Sequence, residues 1–188
     1  MCRYAMTNYK PHYACFNCRK TFKRRLLSDI ESKDDFQLTE AKCPECGQLM
    51  ANMGKDFEAS KKSDIKGWEQ IKLLYSVGIT FHSCGCTGPG YIPNTPERLI
   101  AYFQELKDDY QTQLTFWRQR EEPTSKKEID RDTSKNWRFI SQVPNDLRPK
   151  KGAISNEDAK SYWIDRIKQI EEKLRQITTA NKVLPKAG

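Results

Sequence analysis

The sequence predicts an α+β protein, a small β-rich module followed by an α-helical part with two long amphipathic helices, and three observations carry that prediction. Four of the seven cysteines form two CxxC pairs, Cys15/Cys18 and Cys43/Cys46, set among short strand-like runs. Two later stretches repeat apolar residues at helical spacing over roughly 23 to 27 residues each. Between those stretches the chain is polar and punctuated by Pro123, Pro144 and Pro149. At 188 residues the chain is long enough for one domain or two small ones. The expected division is a metal-holding β module at 1–60 and, packed on it at 61–95, a helix, a strand and a Cys/Gly-rich loop. A helical hairpin follows at 96–180 with a basic irregular insertion at 121–154, and a flexible tail closes the chain at 181–188.

In chain order, "YKPHYACFNC", "KTFKRRLL", "DFQLTEAKC" and "GQLMANM" read as short strands between the cysteine pairs. Ser63 is positioned to cap a short helix whose apolar residues Ile65, Trp68, Ile71, Leu74 and Tyr75 recur at helical spacing, and Gly78 suits its C-terminal end. "GITFHS" then reads as one strand. Thr95 and Pro96 open the first long helix, Pro123 limits it, and Leu99, Phe103, Leu106, Tyr110, Leu114 and Trp117 form its stripe. The insertion reads as irregular, with "NWRFI" its one packing element. Ser155 caps the last helix, Asp158 takes the reciprocal capping-box position, and Trp163, Ile167, Ile170, Leu174 and Ile177 make its stripe to about Thr178. Two such seams suit an antiparallel hairpin, or alternatively a dimer contact.

The net charge of +8 is uneven. Six cations and no acid lie between Lys10 and Arg25, and residues 123–154 carry 8 basic against 4 acidic side chains. That distribution suits a polyanionic partner. No apolar run approaches the roughly 20 residues of a membrane span, and no apolar leader opens the sequence, so a cytoplasmic, reducing setting without membrane contact is expected. There the cysteines are thiols or metal ligands rather than an odd-numbered disulfide framework.

Two thiolates three positions apart turn onto one ion, and a tetrahedral Zn²⁺ accepts two such pairs at about 2.3 Å per bond. Cys15, Cys18, Cys43 and Cys46 are therefore expected to hold one structural zinc. Iron in a rubredoxin-type centre takes the same four thiolates, but such carriers are small and acidic, unlike this chain. The stretches "CFNC" with "RKTFK" and "CPEC" with "GQLM" resemble zinc-ribbon proteins, a likeness that implies metal binding and no particular task. More narrowly, "YKPHYACFNCRKTFKR", "CPECG", "MGKDF" and "GITFHSCGCTGPGYIP" resemble a family of uncharacterised bacterial proteins, over Tyr9 to Pro93.

The loop "FHSCGCTGPGY" has three readings. His82, Cys84 and Cys86 alternate, so on an extended strand they share a face and supply three ligands of a second site, with Cys2 or His12 as a fourth, or a water if the site is catalytic. Cys84 and Cys86 alternatively form a strained, readily reduced disulfide. The third reading is structural, with glycines turning the chain and the cysteines buried. The loop lacks the Gly-Lys-Ser/Thr ending of a phosphate-binding loop.

Around the first knuckle, Tyr9, Tyr13, Phe16 and Phe22 interleave with cations, a pattern that serves either a small core or stacking of single-stranded bases. These residues predict a zinc-stabilised binding protein using Arg19, Lys20, Lys23, Arg24 and Arg25 against RNA or a ribonucleoprotein. A protein–protein adaptor using the long helices is the alternative. A redox or metal-dependent enzyme built on His82, Cys84 and Cys86 is the third.

Overall fold

The computed structural model describes residues 10–23, 41–82, 88–149 and 151–183 of the chain. It divides into two compact units, Met1–Pro96 and Glu97–Gly188. The architecture is α+β, with a three-stranded antiparallel sheet in the first unit and long helices in the second.

In the N-terminal unit β1 (His12–Cys15) lies between β2 (Lys20–Lys23) and β3 (Ala51–Gly54). β1 and β2 pair from His12↔Lys23 to Cys15↔Lys20, and β1 meets β3 at Ala14↔Ala51, with an irregularity between His12 and Tyr13. Successive side chains of a strand point to opposite faces, and here that alternation separates two cores. Ala14 joins Ala51, Met53 and Phe57 with Trp68 and Ile71 of α1 (Ile65–Ser76), while Tyr13 and Cys15 join Cys43 and Met50. Two alanines paired across the strands leave room for the large indole of Trp68 in the first core.

The cap of α1 is Asp64 rather than Ser63, because the Asp64 carboxylate accepts from the Gly67 N–H at 2.9 Å. At Gly67 a Cβ would meet the capping Asp64 carboxylate, so a larger residue there requires that side chain to shift. The far end closes as the sequence predicts, with Gly78 N–H donating to Tyr75 and Ile79 N–H to Leu74, the paired bonds of a Schellman motif. The expected strand at "GITFHS" is reduced to two hydrogen bonds. Phe81 N–H donates to the Met53 carbonyl at 2.7 Å and the Phe81 carbonyl accepts from Asp56 N–H at 3.1 Å, with no regular strand formed over 78–82. Gly54 permits the approach, since a Cβ there would lie 2.6 Å from backbone atoms of Phe81 and His82.

In the C-terminal unit α2 (Pro96–Gln119) and α5 (Asn156–Val183) run antiparallel. Contacts proceed in opposite directions along them: Lys173 over the Phe103 ring, Lys107 with Glu171, Arg166 with the Tyr110 hydroxyl, and Arg120 with Asn156. Both predicted stripes face inward, burying Leu99, Phe103, Leu114 and Trp117 of α2 and Trp163, Ile170 and Ile177 of α5. Gln113 is buried beside the α2 stripe, which periodicity does not foresee.

The insertion at 121–154 is not irregular. It holds α3 (Lys126–Lys135), the single turn α4 (Trp137–Ile140) and a 3₁₀ turn at Asn145–Leu147, and it contributes Ile140, Val143 and Ile154 to the core around Trp117 and Trp163. A complete capping box starts α3, with Ser125 Oγ accepting from Glu128 N–H while the Glu128 carboxylate accepts from Ser125 N–H. Periodicity missed the helix because it buries no side chain of its own. Among the described residues no helix is long and apolar enough to cross a membrane.

Candidate metal centre

Sheet pairing places the two cysteine turns together. The first spans Phe16 to Arg19 and joins β1 to β2, so Cys15 ends one strand and Cys18 sits in the turn. The second is closed by a Lys42↔Leu49 bridge, with Cys43 N–H donating to Gln48 and Gly47 N–H to Cys43. It leads through Met50 into β3, whose first residue pairs with Ala14, so the second turn arrives beside Cys15.

The two turns share a backbone device. The residue after each second cysteine has positive φ, Arg19 at 51° and Gly47 at 71°. Such a conformation costs a side-chain-bearing residue roughly 1–2 kcal/mol, so the first turn is built at some expense where the second uses glycine. In the first turn Cys18 N–H also donates to Cys15 Sγ at 3.4 Å, a bond that steadies the sulfur as a ligand.

All four Sγ atoms lie within 4.8 Å of one another, with Cys15 to Cys46 at 3.5 Å and Cys18 to Cys43 at 3.9 Å. A tetrahedron with bonds of about 2.3 Å has edges of about 3.8 Å, and these separations bracket it. A disulfide needs about 2.05 Å, so all four are free thiols. The set fits a metal ion of the kind that prefers four sulfur ligands, zinc included, and as four protein ligands it leaves no position for water or substrate. Among the described residues this is the one cluster able to hold an ion.

Proton affinities within the cluster diverge. Cys46 is lowered to about 6, first by the Gln48 N–H and then by the Asn17 side chain. Cys18 is pushed up to about 12, first by sharing a hydrogen bond with the Cys46 sulfur and then by burial; burial likewise raises Cys15. Lys20 and Glu45 form an ion pair that ties one turn to the other, and the bond to Glu45 raises the Lys20 ammonium. With both side chains substantially exposed, solvent screens that pair and it adds little to stability.

The other residues singled out by the sequence are placed less completely. Of the basic group, Arg19 is half-buried, Lys20 is engaged by Glu45, Lys23 is exposed at the end of β2, and Arg24 and Arg25 lie outside the described residues. His82 is exposed, whereas His12 packs against Phe57 with ring centroids 6.4 Å apart. The His12 Nδ1 atom is buried and finds no partner among the described residues. Cys2, Cys84 and Cys86 lie outside the described residues.

One polar centre escaped the sequence reading. The Arg120 guanidinium, just past α2, donates to Asp132 Oδ2 at 2.8 and 3.0 Å, to the Ile154 carbonyl at 3.0 Å and to Asn156 Oδ1 at 2.7 Å. It also lies 4.8 Å from the centre of the Trp117 ring. Its side chain is 3% exposed, so it is an internal cross-link joining α2, α3 and the start of α5. An arginine in "RQREEP" carries no local mark of that role. No family model matches the chain, and neither a curated protein nor a solved structure matches it.

Proposed function

We propose that this chain is a zinc-stabilised binding protein of the zinc-ribbon kind, with RNA or a ribonucleoprotein particle as its partner. The observation that carries the metal part is the closed quartet of sulfurs, all within 4.8 Å of one another, with two separations of 3.5 and 3.9 Å that bracket the edge of a tetrahedron around zinc. Zinc has no redox chemistry and, with four protein ligands, no open position, so when bound it supplies a fixed cross-link rather than a reactive centre. Cys15, Cys18, Cys43 and Cys46 would hold it. For a small module of three short strands, metal binding contributes folding free energy.

The binding part rests on charge. Six cations and no acid lie from Lys10 to Arg25 in the sequence, Lys10 and Lys23 are exposed, and the chain as a whole is strongly basic. A salt titration of full-length, zinc-loaded protein with single-stranded RNA tests the reading, together with metal analysis. One zinc per chain and affinity that falls steeply with salt are expected. Metal-free protein that stays folded in chelator sinks the zinc assignment, and no affinity at low salt, or affinity indifferent to salt, sinks the RNA assignment.

A further inference from the structure

We infer that the outer face of α3, continued by Trp137, is a surface that holds single-stranded nucleic acid; the inference rests on the RNA-binding reading above and assigns it a site. Lys127, Arg131 and Lys135 stand four residues apart, and a helix brings residues at that spacing to one side. All three are exposed, and neither they nor Lys126 and Arg138 form an ion pair with any described residue. Like charges at this spacing repel, so the stripe weakens its own helix and is relieved by a polyanion.

Counted along 121–138 the charges cancel, five acids against five bases, but their placement does not. Glu128 folds back onto the cap, Asp132 is turned to Arg120, and Glu122 accepts from the Asn156 N–H. Glu121 and Asp130 are the acids without such an engagement. Asp132 is thus turned inward, Glu122 and Glu128 are hydrogen-bonded at the surface, and the exposed cations of the stripe carry no ion pair among the described residues.

An aromatic ring completes the surface. Trp137 is 58% exposed, whereas Trp68, Trp117 and Trp163 are at most 3% exposed. Within "WRFI", Phe139 stacks on Phe116 at 4.1 Å and Ile140 is buried, so packing accounts for these two and leaves the indole in water. Trp137 follows the last of these cations by two residues, and a single strand uses both features, bases stacking on an exposed ring and phosphates meeting the charges. Successive cations on the stripe are about 6 Å apart along the axis, of the order of the phosphate spacing of an extended strand. A duplex offers no base face to the ring, and a membrane surface needs an apolar helix face. The one apolar residue of α3, Ile129, is half-buried.

The test uses full-length, zinc-loaded protein and a short fluorescein-labelled oligouridylate, read by anisotropy in rising salt, with the matching oligodeoxythymidylate, duplex RNA and phosphatidylserine vesicles alongside. The triple variant Lys127→Ala, Arg131→Ala, Lys135→Ala is expected to bind at least about tenfold more weakly at low salt, its salt slope shallower by about 2. Trp137→Ala is expected to lose roughly 5- to 150-fold, with Trp137→Phe restoring most of it because a ring still stacks. RNA and DNA strands responding alike to the variants identify the shared single-strand chemistry, and a loss confined to RNA identifies RNA. All substituted side chains are exposed, and unchanged melting curves verify that the variants remain folded. Wild-type binding that every one of these variants retains overturns this site and leaves the RNA reading standing; absence of wild-type binding overturns both. Capture by vesicles but not by oligonucleotide, or duplex bound as well as single strand with Trp137→Ala silent, also overturns it.

Discussion

At single positions, two backbone conformations give sharp expectations. Arg19 occupies a left-handed conformation that Gly47 occupies in the equivalent turn. Arg19→Gly in the metal-loaded protein is therefore expected to be neutral or stabilising by up to about 1 kcal/mol, whereas Arg19→Val, branched at Cβ, is expected to cost about 1–2 kcal/mol. Denaturant titration decides it, and a Val variant as stable as the Gly variant contradicts the equivalence of the turns. Gly54 is more demanding, because φ is 92° and an added methyl meets the backbone of Phe81 and His82 rather than a side chain able to move. Gly54→Ala is expected to cost about 2 kcal/mol or more. Neither constraint is visible in composition. The four cysteines, by contrast, are legible from spacing alone, since a two-residue gap is what lets both sulfurs of a turn reach one ion. What spacing cannot reveal is the unequal proton affinity of Cys46 and Cys18, which depends on N–H groups and sulfurs brought together by the sheet.

Among the elements, α3 is the one that depends most on its ends. Its Ser125–Glu128 box is its principal local support, and Ser125→Ala is expected to cost about 1 kcal/mol, seen as faster amide exchange across Lys126–Lys135. The Glu128 carboxylate is held below its ordinary value of 4.5, first by Thr124 N–H and then by Ser125 N–H. A depressed carboxylate stabilises the fold fully above its ordinary value, and that contribution disappears as pH falls through the lower folded value. The Thr124 and Ser125 amide resonances should accordingly titrate with a midpoint below 4.5, and not at all in Glu128→Gln; a midpoint at or above 4.5 contradicts the box. The sequence carried this signal as "SKKE", yet apolar periodicity is blind to a helix whose only apolar residue is Ile129. The long helices were legible for the opposite reason: Leu99, Phe103, Leu114 and Trp117 must face one way to be buried. Gln113 was not, because a polar side chain enters that seam through packing rather than pattern.

Across the whole molecule the two units contain different polar centres, a four-cysteine cluster able to hold a metal ion in one and a buried guanidinium in the other. Chelation is expected to disorder the cysteine turns while leaving most far-ultraviolet helical signal, since α2 and α5 belong to the other unit. Loss of all helical signal in chelator speaks against separate cross-links. Arg120→Met removes one partner of a pair whose side chains are 3% and 14% exposed, and an expected loss of about 3–5 kcal/mol follows from stranding Asp132. Thermal melts of that variant should show the helical transition lowered and the metal affinity unchanged. The antiparallel course of α2 and α5 has one more result. From Arg120 beside Asn156 to Phe103 beside Lys173 the two helices keep step, so the polypeptide enters and leaves this unit at neighbouring points. A segment with adjoining ends behaves as a cassette: residues 97–183, spliced into an exposed loop of an unrelated host, should fold there without prying the host open.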